Sequence, residues 1–174
     1  HTVCLRSDVA VTYQLFVGAT GHSPTLELFY STTGYTLDVD DHVFNSGTIR
    51  LNYGASFTME PNKILYNGYD EPGELVVNQT SGTTTVNIYR IYNGASGGET
   101  GTLDLNGGST TISRIYNAYW GDGYITMDGD ANLTASTEMY VCRAGNPGVT
   151  GTVTLNPNAG YGLTVDQLYV TYGN

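Results

Sequence analysis

Three short strand patterns recur seven times along this 174-residue chain, and that repetition limits the fold more than any other property. The clearest copy runs from Gly101 to Asn117, GTLDLNGGSTTISRIYN. It reads as three pieces, residues 103–105, 110–113 and 115–117, with a polar corner Asn106-Gly107-Gly108 after the first. Apolar and polar residues alternate within each piece, which marks half-buried strands.

The first piece recurs as Val3-Cys4-Leu5, Leu26-Glu27-Leu28, Ile49-Arg50-Leu51, Leu75-Val76-Val77, Leu103-Asp104-Leu105, Ile125-Thr126-Met127 and Val153-Thr154-Leu155. Start-to-start spacings are 23, 23, 26, 28, 22 and 28 residues. The third piece gives an apolar column Leu15, Val43, Leu65, Ile91, Ile115, Met139, Leu168. An unbroken aromatic column follows: Phe16, Phe44, Tyr66, Tyr92, Tyr116, Tyr140, Tyr169. The next position reads Val17, Asn45, Asn67, Asn93, Asn117, Val141, Val170. The second piece aligns on a threonine column, Ala10, Thr36, Thr58, Thr85, Thr111, Thr134, Thr164. Its inner column is then Val11, Leu37, Met59, Val86, Ile112, Ala135, Val165, and its second polar column places Asp38 beside Glu60.

One copy of about 25 residues cannot bury its apolar face alone, whereas stacked copies can, each strand pairing with its counterpart ~4.8 Å away. Residues 1–174 therefore form a single all-β domain, a three-sheet solenoid of about seven coils of 22–28 residues. The pattern resembles the right-handed parallel β-helix of pectin-degrading enzymes, autotransporter passengers and phage tailspikes. The resemblance is one of fold, and the motifs by which pectate lyases and polygalacturonases are known do not occur.

In this register the four asparagines at 45, 67, 93 and 117 point inward and form a ladder of amides, each able to donate and accept. The aromatic column points outward as a stripe of rings that protects a sheet face or makes a sticky surface. The threonine column is a weak match to an ice-binding array. Asp38 and Glu60 are the one carboxylate pair at glycosidase spacing, and no basic cluster stands beside them. Asp128-Gly129-Asp130-Ala131-Asn132 begins like a calcium loop but lacks its glycine and distal glutamate, so it reads as an acidic turn. No metal, cofactor or catalytic motif follows from the residues, and the chain is read as a non-enzyme.

Composition directs the functional reading. The net charge of −10 argues against nucleic acid and anionic membranes, and no apolar run is long enough to insert in a bilayer. The chain begins at His1 rather than Met, so a leader has been removed or this is a fragment. Sequons at Asn78 and Asn132 permit glycosylation. Cys4 and Cys142 fall five coils apart, too far to pair within one chain. No cap is legible at either end. Val3, Leu5, Val9, Val11, Leu15 and Val17 form one terminal coil, and Val153, Leu155, Leu163, Val165, Leu168 and Val170 the other. The expectation is a secreted or cell-surface structural protein that polymerises head to tail into an extracellular filament, its partners being copies of itself. The alternative is a surface adhesin or carbohydrate-binding module, with polysaccharide as partner. A polysaccharide-degrading enzyme is the third reading.

Overall fold

The computed structural model of the chain describes residues 1–28, 35–52, 54–78, 84–142 and 148–170. Its strands stack as seven rungs, winding through about six turns of an all-β parallel solenoid with no helix among the described residues. Rung one holds β1 (Thr2–Leu5), β2 (Val9–Val11) and β3 (Leu15–Val17). Rung two holds β4 (Thr25–Leu28), β5 (Thr36–Val39) and β6 (Val43–Asn45), and rung three β7 (Thr48–Leu51), β8 (Ser56–Met59) and β9 (Ile64–Asn67). From there the corners straighten into strand. Rung four is β10 (Gly73–Val77) and β11 (Thr85–Asn93), rung five is the single strand β12 (Gly101–Asn117), and rung six is β13 (Gly123–Tyr140). Rung seven separates again into β14 (Gly151–Pro157), β15 (Gly162–Val165) and β16 (Leu168–Tyr169).

Every pairing between rungs is parallel. In the first sheet Val3, Leu26, Ile49, Leu75, Leu103, Ile125 and Val153 align, as do Leu5, Leu28, Leu51, Val77, Leu105, Met127 and Leu155. In the third sheet the apolar and aromatic columns align through all seven rungs. These inward columns form one continuous core in which Ile49, Leu51, Leu75, Leu103, Phe57, Leu65 and Ile91 are fully buried. A sheet whose other face is solvated explains the alternating pattern.

The second sheet corrects the alignment made from sequence. Thr58 pairs with Asp38, not Thr36, and Asn87, not Thr85, pairs with Thr58 and Thr111. The outward column is therefore Ala10, Asp38, Thr58, Asn87, Thr111, Thr134, Thr164. Leu37 and Val86 belong to the other inward column, with Val9, Phe57, Thr110, Leu133 and Leu163. A slip of two residues keeps every side chain on its face, so alternation alone cannot detect it. The run Asp128–Asn132 is likewise no turn. It lies within β13, where the register with β12 shifts between Leu105 and Gly107.

A column of small residues enters the first sheet beside the third. Gly73, Gly101, Gly123 and Gly151 pair in succession, and Gly47 precedes them one rung earlier. A Cβ at Gly73, Gly101 or Gly123 would lie 2.9, 2.6 or 2.5 Å from the side-chain oxygen of Asn67, Asn93 or Asn117, and would also meet the backbone nitrogen of Gly68, Gly94 or Ala118. The requirement is space for a backbone crossing. Gly101→Ala should therefore lower stability by about 1–3 kcal/mol through overpacking. Gly97→Ala, in open space, should leave the thermal midpoint nearly unchanged. Equal midpoints for the two variants would contradict this packing.

Candidate functional site

The elements that could act on other molecules are two amide ladders, a ring column and the apolar residues of the first and last rungs. The inner ladder comes from the last residue of each third strand. Asn45 Nδ2 donates to Asn67 Oδ1 at 2.7 Å, Asn67 to Asn93 at 2.7 Å, and Asn93 to Asn117 at 2.8 Å. The other N–H of Asn45, Asn67 and Asn93 donates to a backbone carbonyl two rungs on, that of Glu74 (3.0 Å), Thr102 (2.9 Å) and Tyr124 (3.0 Å), and Asn117 donates to the carbonyls of Gly123 (2.9 Å) and Thr152 (3.2 Å). A carbonyl accepts only from a donor, so these contacts fix which way every amide points. All four asparagines are fully buried. The chain leaves the ladder through a left-handed residue, Gly68 (φ 77°), Gly94 (φ 72°) or Ala118 (φ 54°), which turns it into the next first strand. Val17 and Val141 flank the ladder at its two ends, where no amide neighbour continues it.

A second ladder runs along the outer corner after the first sheet. Asn52 Nδ2 donates to Glu27 Oε1 (2.7 Å), Asn78 to Asn52 Oδ1 (3.0 Å), and Asn106 to Asn78 Oδ1 (3.1 Å). Asn156 repeats the contact on Asp128 at 3.0 Å, separated from the ladder because the Asp128 carboxylate has no N–H to pass on to Asn106. Here later rungs donate to earlier ones, opposite to the inner ladder. Asn78, the first sequon residue, thus has its amide nitrogen engaged, and the sequon's Thr80 lies outside the described residues. Asn132, the other, accepts from Gly162 N at 3.2 Å. The sequence shows that Asn or Asp follows the first strand, yet that signal alone did not reveal a second ladder.

The aromatic column stacks along the rod axis. Phe16–Phe44 and Phe44–Tyr66 are 4.8 and 4.9 Å apart with planes within 10° and 2°, and Tyr140–Tyr169 are 4.5 Å apart within 10°. Between them the stack turns: Tyr66–Tyr92 cross at 77° and Tyr92–Tyr116 at 58°. Rings stacked this way turn their faces to one another and their edges to solvent, which gives a sugar ring little face to lie on. Tyr69 packs edgewise on Phe44, Tyr119 lies flat on Tyr92 at 4.1 Å, and His42 leans on Phe44 and Tyr66. This second layer leaves Tyr116 buried. Burial, with Tyr92 and Tyr119 close by, pushes the Tyr66 phenol above its usual pKa. The sequence pattern of Asn followed two residues later by Tyr, at Asn67-Gly68-Tyr69 and Asn117-Ala118-Tyr119, is the signal for that layer.

The carboxylate pair does not form. Thr58 donates to Asp38 Oδ1 at 2.6 Å, and Glu60 lies one residue past Met59, the partner of Val39, next to Asp40. Nearby, Lys63 Nζ lies 2.9 Å from Asp41 Oδ1; with the His42 backbone it holds the Asp41 carboxyl below the usual range. Among the described residues no three His, Cys, Asp or Glu side chains converge as metal ligands. Asp128 and Asp130 instead accept from Asn156 and Asn158, each at 3.0 Å. Cys4 is exposed, Cys142 half-buried, and both are free thiols.

The end rungs differ from the middle. Val3, Phe16, Leu155, Leu168, Tyr169 and Val170 are exposed apolar residues, and all six lie in rungs one and seven. Leu5, Val9, Val11, Leu15, Val153, Leu163 and Val165 are only partly covered. Val17 is buried. No known family matches this chain, and neither a curated protein nor a solved structure matches it.

Asn93→Leu tests the inner ladder. It strands the Asn67 amide, the Asn117 oxygen and the Tyr124 carbonyl, so the expected loss is about 3 kcal/mol or more. Asn158→Leu, on an exposed aspartate, should cost within about 0.5 kcal/mol. Urea unfolding of both variants measures the difference, and equal midpoints would contradict the ladder.

Proposed function

We propose that this chain is a secreted or cell-surface structural protein whose rungs continue from one copy onto the next, giving a head-to-tail filament. The observation that carries the reading is the match between the two apolar end faces. With rung one of one copy laid on rung seven of another, Val3 follows Val153, Leu5 follows Leu155, and Val9 and Val11 follow Leu163 and Val165. In the third sheet Leu15 follows Leu168, and Val17 follows Val170. Phe16, 61% exposed, and Tyr169, 38% exposed, each keep one ring face free, so the ring column also runs on. Each junction joins unlike faces, so addition is heterologous and open-ended. Added strands supply backbone hydrogen bonds and remove apolar surface from water.

The outward-facing amides of the two end rungs fix where a substitution can block addition. The Val11 carbonyl accepts from Asp40 N and so faces rung two. In a parallel strand the N–H and C=O of one residue point to the same side, so Ala10 faces the open edge. At the other end Asp166 N donates to Ala135 O, which leaves Val165 facing outward. Ala10→Pro and Val165→Pro each remove one open-edge donor without touching an existing rung-to-rung bond. Electron microscopy should show filaments for the wild type and monomers or short oligomers for either variant, with unchanged β circular dichroism. A wild-type chain that stays monomeric at high concentration, or variants that polymerise normally, would overturn the reading.

A further inference from the structure

Three consecutive rungs carry a cation on one corner of the rod, between the second and third sheets. Lys63 immediately precedes Ile64, Ile64 pairs with Arg90, and Arg90 pairs with Arg114. The chain holds six Lys and Arg against sixteen Asp and Glu, so half of its cations lie on this line. An acid closes each end: Asp41 sits on Lys63 at 2.9 Å, and Glu138 lies 3.6 Å from Arg114 Nε. Glu138 is shared, since it also accepts from the hydroxyls of Tyr116 (2.6 Å) and Tyr140 (3.3 Å).

Arg90 has no such partner. Among the described residues no carboxylate lies within ion-pair distance of it, and its one polar contact is the Tyr92 hydroxyl at 3.4 Å. Its guanidinium lies 5.5 Å from the Tyr89 ring centre, and that of Arg114 lies 5.6 Å from the same ring. Tyr116 stands 5.9 Å from Arg90 on another side. Cation–π contacts hold both planes in place. The Nε atoms of both arginines are buried without a hydrogen bond, Glu138 lying beyond that distance from Arg114 Nε, and the 3.4 Å contact of Arg90 Nη1 with Tyr92 is long, which leaves the guanidiniums short of acceptors. Like charges on directly paired residues destabilise a sheet, and here only one carboxylate offsets two guanidiniums. The ring stack also breaks beside Arg90, at Tyr66–Tyr92 and Tyr92–Tyr116.

We infer that this corner binds a linear acidic polysaccharide, its carboxylate or sulfate groups against Arg90 and Arg114 and its chain along the rod past Lys63. Guanidinium forks suit planar oxyanions. One cation per rung, every ~4.8 Å, fits a polymer with sparse charge. The rod's net charge of −10 opposes every polyanion, so binding has to come from this local cluster of cations. The Tyr92 hydroxyl touches Arg90, and the Tyr116 hydroxyl donates to the Glu138 carboxylate that faces Arg114, so phenol groups beside the pair match a hydroxyl-rich ligand. The site occupies rungs three to five, away from the end faces, so it stands whether or not the chain forms filaments.

Affinity electrophoresis at low salt tests it, with polygalacturonate, neutral dextran or single-stranded DNA cast in the gel and inorganic sulfate as competitor. Polygalacturonate should retard the wild type and dextran should not. Arg90→Gln and Arg114→Gln should weaken binding about tenfold each, and Arg90→Lys should restore only part, since it keeps the charge and loses the fork. Glu138→Gln should bind more tightly, because it releases Arg114; a gain of binding cannot come from misfolding. Sulfate should compete only at concentrations far above those of polymer acid groups. Wild-type retardation of both glutamine variants would overturn the proposal. So would sulfate binding as tightly as the polymer, which would make this a small-anion site, or equal retardation by DNA, which would remove the sugar.

Discussion

A buried carboxamide with every hydrogen bond made is the contact on which the rest of this rod depends. An uncharged polar group inside a protein costs free energy unless all its donors and acceptors find partners. Asn45, Asn67 and Asn93 find them in one arrangement only: an identical side chain one rung above and a backbone carbonyl near the start of the first strand two rungs above. That arrangement fixes the third-sheet register and the path from the third sheet to the first. It also explains the glycines, because a Cβ at Gly73, Gly101 or Gly123 would run into the ladder's own side-chain oxygen. The amide and the glycine are one device made of two residues about six to eight positions apart in sequence.

The two ladders run in opposite senses along the rod, the inner one donating toward the C-terminal end and the outer one toward the N-terminal end. Aligned amide dipoles of a single ladder would leave partial charges at its two ends; opposed ladders offset each other. Among the described residues ion pairs are few, so beyond the backbone pairing it is amide, hydroxyl and ring contacts that join the side chains of successive rungs. Ring stacking adds about 0.5–1.5 kcal/mol per pair beyond burial. Low charge and a repeated register are compatible with a chain whose end faces add further rungs, and the cationic corner at Lys63, Arg90 and Arg114 stands out against that background.

The first and third sheets were legible in the sequence because their columns carry marks of distinct chemistry. An aromatic ring before an asparagine or valine, and two aliphatic residues around a polar one, admit one alignment. The second sheet carries no such mark. Thr36 resembles Thr58 and Thr85 resembles Thr111 in type, yet Asp38 and Asn87 are their true counterparts, and the supposed Asp38–Glu60 pair came from that slip. Tyr69 and Tyr119 escape notice because only two of the four ladder asparagines carry a tyrosine two residues on; Gly47 and Ala95 stand at the other two. The acids at 128 and 130 looked like a turn because a bulge in a continuous strand has the composition of one.

Side-chain amide hydrogen exchange, followed by NMR, tests the central claim most directly. The Nδ2 protons of Asn45, Asn67, Asn93 and Asn117 are buried and doubly bonded, so they should exchange only through global unfolding and share one rate. Asn158, on the surface, should exchange within the dead time of the experiment. Four inner amides exchanging as fast as Asn158, or at four unrelated rates, would mean that no continuous ladder holds the rungs in register.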